Sequence, residues 1–158
     1  DNFFRYSKLH GYVHDEGAAM LGGVSGHAGL FSNAYEVAIV LQTMIQKGTY
    51  NNQRLFSENS FDTFNYCYYC DKDNRSGVGF DKPQIEGEHG STFGGVSKNS
   101  FGHYGYTGSI AWADPDEEII FVFLSNRTYP TRENTLLQTS NIRTRAQEIV
   151  YKSLIDSK

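Results

Sequence analysis

The chain has 158 residues, of which 39% are hydrophobic and 20% charged; these are values of a folded domain rather than a disordered tail, and this length can bury about 68–70% of the unfolded surface. Fourteen Lys and Arg against eighteen Asp and Glu leave a net charge of −4, which argues against a nucleic-acid partner and against binding to an anionic membrane surface. Aromatics reach 15%, with 11 Tyr and 11 Phe, as strands and an aromatic-lined groove would require, and no apolar run approaches the roughly 20 residues of a membrane-spanning helix.

The chain begins at Asp1, without Met or a signal peptide, and reads as a mature product or a fragment. Residues 1–31 are Gly-rich and predicted to be an irregular loop, because Gly11, Gly17, Gly22, Gly23, Gly26 and Gly29 recur too often for a helix. A helix is predicted next. Asn33 can cap it with Glu36 as capping-box partner, Val37, Val40, Leu41, Met44 and Ile45 form an apolar stripe at 3.6 spacing, and Gly48 ends it as the C′ residue. A short second helix is predicted after Ser57, carrying Phe61 and Phe64. Residues 66–100 read as a loop excursion punctuated by Gly87, Gly90, Gly94 and Gly95, with Val78-Gly79-Phe80 as a short strand and His89 on the surface. Phe101–Tyr106, Ser109–Ala113 and Ile119–Ser125 read as three strands, with Asp114-Pro115-Asp116-Glu117 as a hairpin turn. The continuously apolar Ile119–Leu124 predicts a central strand buried on both faces. Leu136, Leu137, Ile142, Ala146, Ile149, Val150 and Leu154 predict a C-terminal helix packed on the sheet. Trp112 is expected in the core.

Two Gly-rich strings carry candidate chemistry. Gly102-His103-Tyr104-Gly105-Tyr106-Thr107-Gly108-Ser109 sits at a strand end, where glycines allow close backbone approach and exposed N–H groups can polarise a carbonyl oxygen. His103 can donate a hydrogen bond or act as acid or base near neutral pH; the alternative is a Gly-rich hairpin with a half-buried histidine. The second string, Gly22-Gly23-Val24-Ser25-Gly26-His27-Ala28-Gly29-Leu30-Phe31-Ser32, leads into a helix but lacks the GxxxxGK[ST] of a phosphate cradle.

Other patterns point away from chemistry. His10 and His14 would share a helix face, but Gly11 argues against a helix and HExxH is absent, so no metal site and no cofactor are expected. His14 and Asp15 are expected to organise the loop by hydrogen bonds or to edge a groove. Cys67-Tyr-Tyr-Cys70 is read as two plain thiols or a local disulfide, since it lacks a second ligand pair for zinc and a thioredoxin-like context. Asp114 and Asp116 fit a turn better than a glycosidase carboxylate pair. Arg127 is expected to be an ion-pair partner at a strand end.

The order His14-Asp15-Glu16-Gly17-Ala18, Gly22-Gly23 through Ser32, Gly102–Gly108, Trp112-x-Asp114-Pro115 and Leu124-x-Asn126-Arg127 resembles the C-terminal part of penicillin-recognising serine hydrolases, nearest to the class C β-lactamase and penicillin-binding-protein branch. The resemblance covers most of the chain outside residues 66–98. It implies an α+β fold, with an antiparallel sheet, a C-terminal helix on one face and part of a helical lobe. Within it, residues 1–65 would be the helical-lobe part, 66–100 the excursion, and 101–158 three strands and the last helix. It implies that His103-Tyr104-Gly105 stands where the family has a Lys-Thr-Gly-type triad, with Tyr104 departing from Thr. Tyr106 would supply a backbone oxyanion N–H, Tyr104, Gly105 and Thr107 would bind substrate, and His27 and Ala28 would line the opposite side of the groove.

The family's nucleophile in Ser-x-x-Lys has no match here, and the literal Tyr50-Asn51-Asn52 match to Tyr-x-Asn lies in a surface-loop context. The chain alone is therefore expected to be inactive, with the missing N-terminal part of the same domain as its partner. The substrate would be a small amide, ester or peptidoglycan-like molecule, with fusion to a glycosidase as another arrangement and an extracytoplasmic setting. Alternatives from other classes are a non-catalytic wall-peptide or glycan binding module and a structural appendage of a larger glycosidase. If missing strands normally pair with Ile119–Ser125, the exposed edge predicts an edge-strand dimer.

Overall fold

The computed structural model describes residues 1–72, 74–84 and 90–155, so Gly87 and His89 lie outside the described residues. The chain divides into two compact units, residues 1–33 and 34–158.

The first unit is mostly loop, held by one arginine. Arg5 Nε donates to Asp1 Oδ2 at 2.8 Å, Nη1 to the Val13 carbonyl at 2.6 Å and Nη2 to the His14 carbonyl at 2.8 Å. Contrary to the loop expected throughout 1–31, a five-residue helix α1, Glu16–Met20, forms here. Asp15 overrides the local glycine: its Oδ1 accepts the Ala18 N–H at 2.7 Å, satisfying an otherwise orphaned donor at the helix start.

The second unit is built on a three-stranded antiparallel sheet of β3 (Phe101–Tyr104), β4 (Ile110–Asp114) and β5 (Ile119–Phe123), in the order β3-β4-β5. The residues of β4 alternate between two faces. Ile110 and Trp112 join Phe121, Phe123, Ala146 and Val150 on one face. Ala111 and Ala113 join Phe101, Ile120, Val122, Leu41, Met44 and Phe61 on the other. Helix α2, Ala34–Ile45, packs on this second face, and α5, Ile142–Ile155, on the first. Trp112, Phe101 and Ile110 are 0%, 1% and 2% exposed, and burial of each such side chain contributes roughly 1.5–3 kcal/mol. The fold is α+β, as the sequence predicts, but a helix lies on each sheet face. The run Ile119–Phe123 is apolar because helices cover both its sides; among the described residues it lies at the sheet's edge rather than its centre, and β4 takes the central place.

Helix α2 begins at Ala34, directly after Asn33. It ends one residue earlier than expected: Lys47 takes the left-handed C′ conformation at φ 49°, and Gly48 is C″. The Gly48 N–H reaches the Thr43 carbonyl at 2.8 Å and the Lys47 N–H the Met44 carbonyl at 2.9 Å, which is a Schellman closure. Next comes a hairpin of β1 (Thr49–Tyr50) and β2 (Gln53–Arg54) that was not predicted. Asn51 and Asn52 form its turn with φ 48° and 60°, the left-handed pair that type I′ hairpins require. Tyr50-Asn51-Asn52 is thus turn chemistry. Helix α3, Glu58–Asn65, starts at the Ser57 cap as predicted.

Cys67 and Cys70 are joined in a disulfide beside a short 3₁₀ turn, Cys70–Lys72. Val78-Gly79-Phe80 is not a strand; pairing occurs instead at two isolated bridges, Ser76 with Asp81 and Asp81 with Gly102. The strands stop short of their expected ends, at Tyr104 and Phe123, because residues 105–108 and 124–126 leave the ladder. The C-terminal helix is two helices, α4 (Leu136–Thr139) and α5, separated where Asn141 adopts φ 51°. Among the described residues no helix is long and apolar enough to cross a membrane.

Candidate active-site hairpin

The Gly102–Ser109 string forms the end of β3 and the tight turn into β4. The Gly105 N–H reaches the Ser109 carbonyl at 2.7 Å, and the Gly108 N–H reaches the Gly105 carbonyl at 2.9 Å. Two glycines make this possible. Gly108 has φ +102°, and a Cβ there would fall 2.3 Å from Ser125 Oγ. Gly102 lies so close to β4 that a Cβ would fall 2.5 Å from the Trp112 ring.

β3 is an edge strand. Its outer side is bridged by Asp81 at Gly102, with the Asp81 N–H on the Gly102 carbonyl at 2.8 Å and the Gly102 N–H on the Asp81 carbonyl at 3.2 Å. Backbone direction alternates along an antiparallel edge, so the next outward-facing groups beyond this bridge belong to Tyr104. His103 and Tyr104 are exposed, with ring centroids 6.0 Å apart. His103, Tyr104, Gly105, Tyr106 and Thr107 are therefore gathered at one exposed hairpin tip.

Two arginines brace that tip. Arg127 donates from Nε to the Tyr106 carbonyl at 2.7 Å and from Nη1 to the carbonyls of Arg132 and Asn134 at 3.0 and 3.1 Å. Its guanidinium carbon lies 4.3 Å from the Tyr106 ring centroid. It is thus a carbonyl clamp, not the expected ion-pair partner. The Thr107 carbonyl accepts from the Arg127 N–H at 2.9 Å and from Ser125 Oγ at 3.2 Å. Arg143, on α5, lies over the Tyr104 ring at 5.2 Å, and its Nη1 is buried with no hydrogen-bond partner. Burial lowers the Arg143 pKa from its ordinary value. No local pattern points to Arg143, because it meets the Tyr104 ring only through the packing of α5 on the sheet.

His27 and Ala28 belong to the first unit. Both His27 ring nitrogens are engaged, Nδ1 with Ser25 Oγ at 2.8 Å and Nε2 with Asp15 Oδ1 at 2.9 Å. Ala28 accepts the Ser25 N–H at 3.1 Å. The Ala18 N–H first, and His27 second, hold the Asp15 carboxyl below its usual pKa. Asp15 thus organises this loop, as expected of it, and the His14 carbonyl takes part through Arg5. Among the described residues no group of three or more His, Cys, Asp or Glu could hold a metal ion. Asp114 is wholly buried and Asp116 is exposed in the β4–β5 turn, bonded by Asn99, as turn residues rather than a catalytic pair.

The end of β3 and the turn into β4 thus gather a glycine-rich backbone and the exposed His103 imidazole in one place. The family model for Beta-lactamase matches residues 4–143, and the chain belongs to this family of penicillin-recognising serine hydrolases. It is 38% identical over 129 residues to a putative D-alanyl-D-alanine carboxypeptidase of Escherichia coli strain K12, covering 79% of this chain and 29% of that protein. It is 36% identical over 126 residues to an N-acetylmuramyl-L-alanine amidase of Bacillus subtilis strain 168, covering 79% of this chain and 28% of that protein. The chain thus spans less than a third of the length of these relatives.

Proposed function

We propose that this chain forms one wall of the active site of a serine hydrolase that cleaves an amide or ester through an acyl-enzyme. The reading rests on the exposed His103–Thr107 tip of an edge strand in a chain of this family. The attacking serine and its lysine would come from sequence outside these 158 residues, since no Ser here has Lys three positions on. The Tyr106 backbone N–H would stabilise the oxyanion, and His103 would donate to or exchange a proton with the reacting substrate. Tyr104, Gly105 and Thr107 would position the substrate. Tyr104 lacks the short hydroxyl of a threonine; the half-buried guanidinium of Arg143, which lies over the Tyr104 ring, would meet a substrate carboxylate in its place.

The relatives' names favour a cell-wall peptide over a β-lactam or a small ester as substrate, and with it an extracytoplasmic setting. In the chain extended upstream to include a Ser-x-x-Lys, His103→Ala is expected to lower kcat/KM on a D-Ala-D-Ala peptide or a chromogenic ester about 10²–10³-fold. Unchanged kinetics would remove His103 from the site.

A further inference from the structure

At the other end of β3 from His103, a cavity of about 550 Å³ opens between α3, the β4–β5 turn and the segment before β3. That volume is within the range of small-molecule sites. Phe61 and Phe101 form part of its wall, their rings edge-to-face at 5.3 Å. Lys47, Lys82 and Lys98 also line it, with Asp62 and Asp116.

The charges do not balance. Lys47 pairs with Asp62 at 3.3 Å and Glu58 at 3.2 Å. Asp116 is held by the Asn99 amide at 3.0 and 3.1 Å. Lys82 Nζ donates to Asn65 Oδ1 at 3.0 Å and lies 5.7 Å from the Phe101 ring centroid. Among the described residues no carboxylate is within ion-pair distance of it or of the exposed Lys98. A half-buried ammonium without a counter-charge is a costly arrangement.

The lysine is also fixed in place. Its N–H reaches the Arg75 carbonyl at 2.7 Å, Arg75 in turn donates from Nε and Nη2 to the Pro83 carbonyl at 2.8 and 2.6 Å, and Asp81 is bridged to β3. Desolvation first, and the Arg75 charge second, pull its pKa down to about 8.

We propose that this cavity is a binding site for a small organic monocarboxylate, with the anion between Lys82 and Lys98 and a flat apolar body against Phe61 and the exposed Tyr66. A monoanion suits the site better than phosphate. Among the described residues the lining offers two ammonium groups without a carboxylate partner and no arginine, and Asp62 and Asp116 would repel a second negative charge. The site is separate from the His103 tip, so its occupancy does not depend on the hydrolytic reading.

Titration calorimetry on the full 158-residue chain tests it, with benzoate as ligand, benzamide as its neutral counterpart and inorganic phosphate as the alternative anion. Saturable benzoate binding is expected, with benzamide and phosphate weaker by about tenfold or more, and Lys82→Met lowering benzoate affinity about tenfold while Lys98→Met lowers it less. Binding should also weaken as pH rises from 7 to 9.5, because Lys82 loses its charge in that window. Should Lys82→Met fail to fold, mass-spectrometric protection of Lys82 from acetic anhydride by benzoate decides the matter. Absence of saturation, equal binding of benzamide, tighter binding of phosphate, a pH-independent affinity or no protection of Lys82 each overturns the proposal.

Discussion

The Tyr151 hydroxyl on α5 donates to Asp114 Oδ2 at 3.1 Å at the end of β4, and both residues are buried. Asp114 also accepts the Ser97 N–H at 2.8 Å, the Ser97 hydroxyl, and the N–H groups of Asp116 and Glu117 at 3.2 and 3.4 Å. One carboxylate thus ties the loop before β3, the β4–β5 turn and the last helix together. Asp114→Ala is expected to lower unfolding free energy by about 3 kcal/mol, because several buried donors lose their acceptor, and Tyr151→Phe by about 1–2 kcal/mol. Urea titrations of the two variants check this; a change under about 0.5 kcal/mol for Asp114→Ala would show that the turn and α5 hold without it.

Burial first, and the Asp114 charge second, push the Tyr151 pKa well up. Its folded value therefore exceeds its unfolded value, and the stability it contributes is complete below about pH 10 and declines above it as the unfolded state alone ionises. Thermal unfolding across pH 9–11 should show this decline in the parent chain and a shallower one in Tyr151→Phe. Equal slopes would contradict it.

Gly108→Ala should disrupt the hairpin tip. Its φ of +102° and the 2.3 Å approach of an added Cβ to Ser125 Oγ leave no room for a side chain. A loss of about 2–4 kcal/mol is expected, combining backbone strain with the clash. Chemical-shift changes in the variant should centre on residues 104–109 and 125–127; a stable variant with unchanged shifts would contradict the close packing.

Much of this architecture is legible in the residues. The 3.6 stripe of α2, the Ser57 cap and the Asp-Pro-Asp turn each specify local structure through backbone hydrogen bonds that a short window contains. What escaped depends on partners distant in sequence. The Ile119–Phe123 run records cover by α2 and α5, which makes a strand apolar on both faces whether or not it has two strand neighbours. Arg127 clamps carbonyls 5, 7 and 21 residues away, and Arg143 meets Tyr104 only through the crossing of α5. The β1–β2 hairpin could have been found from Asn51-Asn52, whose side chains tolerate the left-handed conformation.

The outer edge of β5 carries no paired strand among the described residues, and Leu124 beside it is 46% exposed. Such an edge invites pairing with a second copy. Light scattering should show a dimer or larger species at high concentration, reduced by Val122→Pro, since alternation along β5 turns the Val122 N–H away from β4. A monodisperse parent monomer would contradict this edge pairing.

If Arg143 meets a substrate carboxylate, Arg143→Met in the upstream-extended chain should raise KM for a D-Ala-D-Ala peptide about tenfold and leave an ester without a carboxylate nearly unaffected. Equal effects on both substrates would assign Arg143 to packing against Tyr104 alone.

The most direct test of the hydrolase reading is covalent labelling with a fluorescent penicillin, read by intact mass. The upstream-extended chain should gain one penicilloyl adduct, slowed by His103→Ala, and the 158-residue chain should gain none. An adduct on the 158-residue chain, or none on the extended one, would contradict the placement of the nucleophile outside these residues and of the oxyanion-binding wall at the β3 tip.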